Sequence, residues 1–324
     1  MAYQTGVVNS LVDIQTAIRL FLVANGWTWA GGKIHKAQMF VEFLDPTADK
    51  VLFRATTALT GGVNAPYASG LGSLARVATG NIPSPITFPA TYWAFVSDDE
   101  FYFVLNYDTT KYQYVMWGMS TINLGVGATG MYISGTANDL QTSNSYFNLG
   151  SGISIGAGGN STPNPYISGG NRAAAPFWKT KAGNNTSQTN NCPNLNADFV
   201  HNAVGASASW LISEQDVDAS YFNYIGNAHA GNIQAVLPNV WNGESPFLPI
   251  RAYKPVGSSK IALLVDLQHA RQCRIDNFAD NEIVVIGADE WQVFPFHRRN
   301  MSARNGGTSI DHTGTFGWAI RKVM

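Results

Sequence analysis

The feature that most constrains this chain lies between residues 91 and 119. Thr91–Ser97, Phe101–Tyr107 and Tyr112–Met119 are three runs dominated by Tyr, Phe, Trp and Val. Such residues fit a pleated, packed surface better than a helix. Two short polar turns separate the runs, Asp98-Asp99-Glu100 and Asp108-Thr109-Thr110-Lys111. Connections this short join antiparallel neighbours, so the stretch predicts a three-stranded meander whose cross-strand aromatic pairs hold it together.

The flanking sequence extends the β reading at both ends. Before the meander, Trp27–Trp29, Lys36–Leu44 and Lys50–Thr57 are short β-prone runs, with Asp45-Pro46-Thr47-Ala48-Asp49 as a turn between the last two. Near the chain end, Phe247–Tyr253, Ile261–Leu267, Glu282–Ile286 and Trp291–Phe296 read as strands, followed by a loop over Asn300–Asp311 and a closing strand at Thr315–Val323. One segment breaks the pattern. Leu11, Ile14, Ile18, Phe21 and Leu22 recur at helical spacing, and Asn9 or Ser10 can cap the start. Asp13 complements the first turn, and Asn25-Gly26 supplies the left-handed stop. The single apolar stripe predicts a helix lying on a sheet, with docking to a partner as the alternative.

From Gly125 to about Ser207 the character changes to Gly, Asn, Ser, Thr and Pro, as in Gly156-Ala157-Gly158-Gly159-Asn160, and Lys181–Asn196 holds six Asn. Such segments lose much entropy on ordering and bury little, so they predict loops. A loop region this long is uncommon inside a compact domain. Tyr146, Phe147, Tyr166, Phe177 and Trp178 are large anchors within it. They predict a candidate interface that orders against neighbouring subunits, or else a small core local to the segment. Ala208–Ser213 and Ser220–Ile225 read as strands again. The expected organisation is residues 1–124 as N-terminal helix and β meander, 125–240 as a loop-rich insertion, and 241–324 as a C-terminal β segment completing the core. The fold class is mainly β, a sandwich or related two-sheet arrangement with one N-terminal amphipathic helix and long Gly/Asn-rich loops.

Charge narrows the function classes. The 324 residues carry 20 Lys+Arg and 21 Asp+Glu, a net charge of −1, and charged residues are only 13% of the chain. With no basic excess to condense on phosphates, a nucleic-acid partner is not expected. A low-charge chain with 9 Trp, 13 Tyr and 17 Phe either hides much of its surface among neighbours or carries a polar, uncharged one. The apolar stretch Leu20–Ala24 stops at Asn25-Gly26, so neither membrane insertion nor a signal peptide is expected. Cys192 and Cys273 stand far apart and make no metal site; two free thiols are expected, a single bridge being the alternative.

The catalytic motifs are thin. There is no Walker loop, no Gly-x-Ser-x-Gly elbow and no His-Glu-x-x-His helix. His35, His201, His229, His269, His297 and His312 are too scattered for local metal spacing. A glycosidase needs two carboxylates about 5 to 9 Å apart. The clusters Asp98-Asp99-Glu100 and Asp289-Glu290 read instead as turn residues. Glu214, Asp216 and Asp218 alternate along an extended segment, as a solvated face or a calcium site would. Asn160-Ser161-Thr162 and Asn184-Asn185-Thr186 match a glycosylation signal only as an Asn/Thr-rich stretch does by chance. Neither an enzyme nor a cofactor is expected.

Three segments together carry a resemblance. They are MAYQTGVVNSLVDIQTAIRLFLVANGWTW at Met1–Trp29, YWAFVSDDEFYFVLNYDTTKYQYVMWG at Tyr92–Gly118, and a C-terminal set. The set comprises LPIRAY at Leu248–Tyr253, EIVVIGADEWQVFPF at Glu282–Phe296 and HTGTFGWAIRK at His312–Lys322. The arrangement resembles virion structural proteins of tailed bacteriophages, in particular tail and baseplate components. It covers both ends and the centre, and these are packing residues with no catalytic role implied. The resemblance implies a subunit made in the host cytoplasm and carried in the virion tail. Its partners would be copies of itself, other phage structural proteins and, in the alternative of a receptor- or carbohydrate-binding tail tip, a host surface receptor. Read without the resemblance, Trp291-Gln292-Val293-Phe294 is a buried strand, and Gly314 and Gly317 are points of close backbone approach.

Overall fold

The computed structural model describes residues 1–65, 68–72, 86–109, 111–121, 130–135, 137–138, 198–202, 208–212, 239–255, 261–295 and 316–323. Eighteen strands and one helix follow in the order β1 (Ala2–Val8), α1 (Leu11–Ala24), β2 (Thr28–Ala30), β3 (Lys33–Lys36), β4 (Met39–Phe43), β5 (Lys50–Thr56), β6 (Ser69–Gly72), β7 (Ala90–Val96), β8 (Glu100–Asp108), β9 (Lys111–Met119), β10 (Met131–Gly135), β11 (Ala137–Asn138), β12 (Asp198–Asn202), β13 (Ala208–Ile212), β14 (Leu248–Pro255), β15 (Ile261–Arg274), β16 (Ile283–Ile286), β17 (Asp289–Pro295) and β18 (Phe316–Val323). They form three antiparallel sheets. The seven-stranded sheet runs β1-β7-β8-β9-β10-β12-β13, the six-stranded sheet β11-β6-β5-β4-β3-β2, and the five-stranded sheet β14-β15-β18-β17-β16.

The class is mainly β and layered, as the patterning predicts, with a third sheet beyond the expected two. The meander is the middle layer. Along β8, Phe101, Phe103, Leu105 and Tyr107 join one core, with Ile14, Ile18, Phe21 and Leu22 of α1 and Val41, Val51 and Phe53 of the six-stranded sheet. The alternate β8 residues Glu100, Tyr102 and Val104 are buried too, on the opposite face. Period-2 geometry sends successive side chains to opposite faces. Burial of both sets therefore requires a cover on each side, which explains why β8 is apolar or aromatic without a break from Phe101 to Leu105.

Trp117 is the centre of the first core. It is fully buried and meets Trp27, Phe53 and Phe101, the last at 4.3 Å between ring centroids. Gln113 on the same face is also buried, but satisfied: its amide pairs with both the N–H (2.8 Å) and the carbonyl (2.6 Å) of Gly72 at the end of β6. The second core joins the middle layer to the five-stranded sheet through two rings. Phe294 of β17 packs on Trp93 (5.3 Å), Phe95 (6.0 Å) and Tyr112 (6.4 Å), and Trp318 of β18 packs on Tyr102 (5.9 Å) and Tyr114 (5.4 Å). Gly317 sits between them. A Cβ there would run into the Phe294 carbonyl, so the close approach expected at this residue is real; Gly314 lies outside the described residues.

Helix α1 is capped by Ser10, whose hydroxyl accepts the Asp13 N–H at 3.1 Å, while the Asp13 carboxylate accepts the Asn9 N–H. Gly26 (φ +85°) makes the left-handed exit, and Trp27 N–H returns to the Leu22 carbonyl at 3.1 Å. Strand β1 precedes the helix and pairs with β7 from Ala2↔Val96 to Val8↔Ala90; the sequence reading has no strand there. Strands β10 to β12 fall inside the stretch read as loops, whereas β13 coincides with the strand expected at Ala208–Ser213. β10, β12 and β13 extend the seven-stranded sheet, and β11 borders the six-stranded one.

Candidate functional site

The acidic clusters hold the residues a hydrolase would need. The turn before β8 is built by Ser97, whose hydroxyl accepts the N–H of Glu100 at 3.0 Å. Asp98 points to solvent and pairs with Lys36 at 2.8 Å; that contact holds its carboxyl below the usual range. Glu100 is different from its neighbours. It is 1% exposed and opens strand β8, so its reading as a turn residue does not hold. Its carboxylate accepts four hydrogen bonds: from Tyr102 (2.6 Å) and Tyr132 (3.2 Å) hydroxyls, and from the backbone N–H groups of Gln268 and His269 (both 2.9 Å).

Those two amides are free to do this because β15 departs from regular pairing there. Its register with β14 shifts between Pro249 and Arg251, and its pairing with β18 begins only at Ala270. Glu100 therefore fastens the middle layer to an irregular stretch of the third sheet. Burial pushes its carboxyl up, and the four donors pull it back without cancelling that effect. Burial and the Glu100 charge push the Tyr102 and Tyr132 phenols well up, so both remain donors. The arrangement saturates the carboxylate and gives it a structural role.

The second acidic cluster is also engaged: Asp289 pairs with Arg321 at 2.9 Å and Glu290 with Lys322 at 3.6 Å. His35 stacks on Phe40, and His269 is half-buried with its imidazole pushed down to about 4, by burial first and then by the Arg321 cation. Among the described residues no three His, Cys, Asp or Glu side chains converge as a metal site would require. Cys273 is a buried free thiol that burial pushes up, making it a poor nucleophile. His229, His297, His312, Cys192, Glu214, Asp216 and Asp218 lie outside the described residues, as do both glycosylation-like triplets.

What the surface does offer is apolar. The buried stripe of α1 has a counterpart on the far side of the same helix, where Val12 (57% exposed), Leu20 (60%) and Val23 face outward. On an α-helix these positions share one face with Thr16 and Arg19, and the Arg19 guanidinium lies over the Trp29 ring at 5.3 Å. Strand β16 presents Ile283, Val285 and Ile286. Beside it, a groove of about 730 Å³ is lined by Val284, Val285, Ile286, Phe247 and Phe278, with Asn239, Asn242 and Glu244 at its polar side. The adjoining turn carries Val240 and Trp241, the latter 93% exposed. Asn239 and Asn242 shape this turn by accepting the N–H groups of Trp241 and Glu244 through their side-chain oxygens.

The five aromatics expected to form an interface, Tyr146, Phe147, Tyr166, Phe177 and Trp178, lie outside the described residues. The exposed apolar groups found instead carried sequence signals of their own. Val12, Thr16, Leu20 and Val23 form a second helical stripe, and Ile283-Val284-Val285-Ile286 is a run without the polar alternation of a half-buried strand. No helix among the described residues is long and apolar enough to cross a membrane. No protein-family model matches the chain, and no curated protein does.

Proposed function

We propose that this protein is a structural subunit of a tailed-bacteriophage tail or baseplate, working through contacts with copies of itself and with other virion proteins. The observation that carries this is the outward side of α1, where Val12, Leu20 and Val23 stand beside Arg19 and Thr16. Exposed apolar side chains clustered on one face mark an interaction surface. Val12, Leu20 and Val23 stay exposed in the single chain, and a neighbouring subunit would enclose them. The low charge of the chain and the resemblance of its two ends and meander to phage tail components favour the same reading. The role is assembly, with no cofactor and no catalytic step. Mass spectrometry and immunogold labelling of purified virions test it. The protein is expected in particles at stoichiometric copy number; synthesis during infection without incorporation would overturn it.

A second reading, a carbohydrate-binding tail-tip protein, is favoured by Trp241. An exposed indole offers a flat apolar face to a sugar ring, and the side-chain N–H2 groups of Asn239 and Asn242 can donate to hydroxyls. Purified protein binding to host cells, abolished by Trp241→Ala, would support this reading; equal binding by both proteins would end it.

A further inference from the structure

Strand β16 closes one side of the five-stranded sheet, and among the described residues nothing pairs with its outer edge. Proteins usually blunt such edges with Pro, Lys, a bulge or an inward charge, because open N–H and C=O groups template another strand. β16 is short, at four residues, but has none of these. Its four residues are Ile283, Val284, Val285 and Ile286, and its pairing with β17 runs unbroken from Ile283↔Gln292 to Ile286↔Asp289. Ile283 is 44% exposed, Val285 66% and Ile286 48%. Gly287-Ala288 is a two-residue turn, so the flanking pair Ile286↔Asp289 is the hydrogen-bonded kind. Alternation then directs the N–H and C=O groups of Ile283 and Val285 outward.

We propose that β16 pairs antiparallel with β16 of a second copy of this chain. Three observations select a copy over an unrelated strand. The outward-bonding residue Val285 can face itself across a two-fold axis, which keeps both ladders in phase. That axis sets Val284 against Ile286 and places Ile283 opposite Gly287, where no side chain competes for space. It also places Glu282 opposite Ala288, so no carboxylate meets a carboxylate although the groove edge carries Glu244 and Glu282. The apolar groove formed by Phe247, Phe278, Val284 and Ile286 then receives the other copy's side chains on that face.

The pairing supplies one contact of the assembly reading, but it is tested on the isolated chain, whereas that reading is tested on virions. Sedimentation velocity over a concentration series should show a monomer–dimer equilibrium for the wild-type chain. Val285→Lys, at an exposed position, should weaken association by about tenfold or more while leaving thermal unfolding of the monomer unchanged. Val285→Cys, treated with a short bis-maleimide beside a wild-type control, should give a dimer linked through residue 285, since directly opposed residues of a hydrogen-bonded pair hold their Cβ atoms about 5.5 Å apart, inside such a linker's span. A wild-type chain that stays monomeric, or a dimer equally tight in Val285→Lys, would overturn the proposal. Should Val285→Lys not fold, absence of the 285–285 crosslink would overturn it instead.

Discussion

Glu100 and His269 are adjacent across the joint between two layers, yet they respond to pH in opposite directions. The Glu100 carboxyl is raised by burial, so the folded state holds its proton more tightly than the unfolded chain. Its contribution is complete below the ordinary glutamate value of about 4.3 and is lost as pH rises through the raised one. Glu100→Gln turns an amide N–H2 toward at least one of the Gln268 and His269 N–H donors, leaving a buried donor unpaired. The expected cost is about 1–3 kcal/mol, read from urea unfolding. The gap from wild type should be widest in acid and narrow as pH rises. His269 is lowered to about 4, so its contribution is present above about 6.5 and is lost as pH falls toward the folded value. Wild-type stability should drop in that interval, and His269→Asn should flatten the drop in the same measurement.

At the scale of elements, α1 shows how much the sequence disclosed. Its cap at Ser10, its stop at Gly26 and its buried face at Ile14, Ile18, Phe21 and Leu22 all follow from spacing and chemistry. Its outward Val12, Leu20 and Val23 were less legible, because Thr16 and Arg19 interrupt them and one apolar stripe already accounts for a helix on a sheet. Leu20→Lys should change the stability of the isolated chain by no more than about 0.5 kcal/mol and reduce incorporation into particles, as measured by virion copy number. Strands β7 to β9 were legible because their aromatic runs are bounded by polar turns. β1 was missed because Gln4, Thr5 and Gly6 dilute it; only pairing with β7 makes it a strand. Glu100 misled for a related reason. Its sequence neighbours are turn carboxylates, and the donors that bury it come from residues 268 and 269, a separation no local window can see.

For the whole molecule, the middle sheet was visible and its double cover was not. From Phe101 to Leu105 both parities of β8 are apolar or aromatic, but which segments would lie above and below depends on long-range packing. The two covers have different origins. Helix and six-stranded sheet come mainly from the first 72 residues, together with the short strand β11, whereas the opposite cover comes from residues 248–323. Strand β18, latest in the chain, is threaded between β15 and β17 at the centre of that second sheet. During translation, then, Tyr102 and Tyr114 leave the ribosome long before the element that contributes Trp318 to shield them. A nascent chain arrested ahead of residue 316 should bind a hydrophobic dye and recruit holdase chaperones, and release past residue 323 should abolish both. Equal dye binding before and after release would show that the aromatic face finds another cover. A premature stop codon even a few residues upstream of β18 would thus leave a product with an uncovered aromatic face, a client for proteolysis.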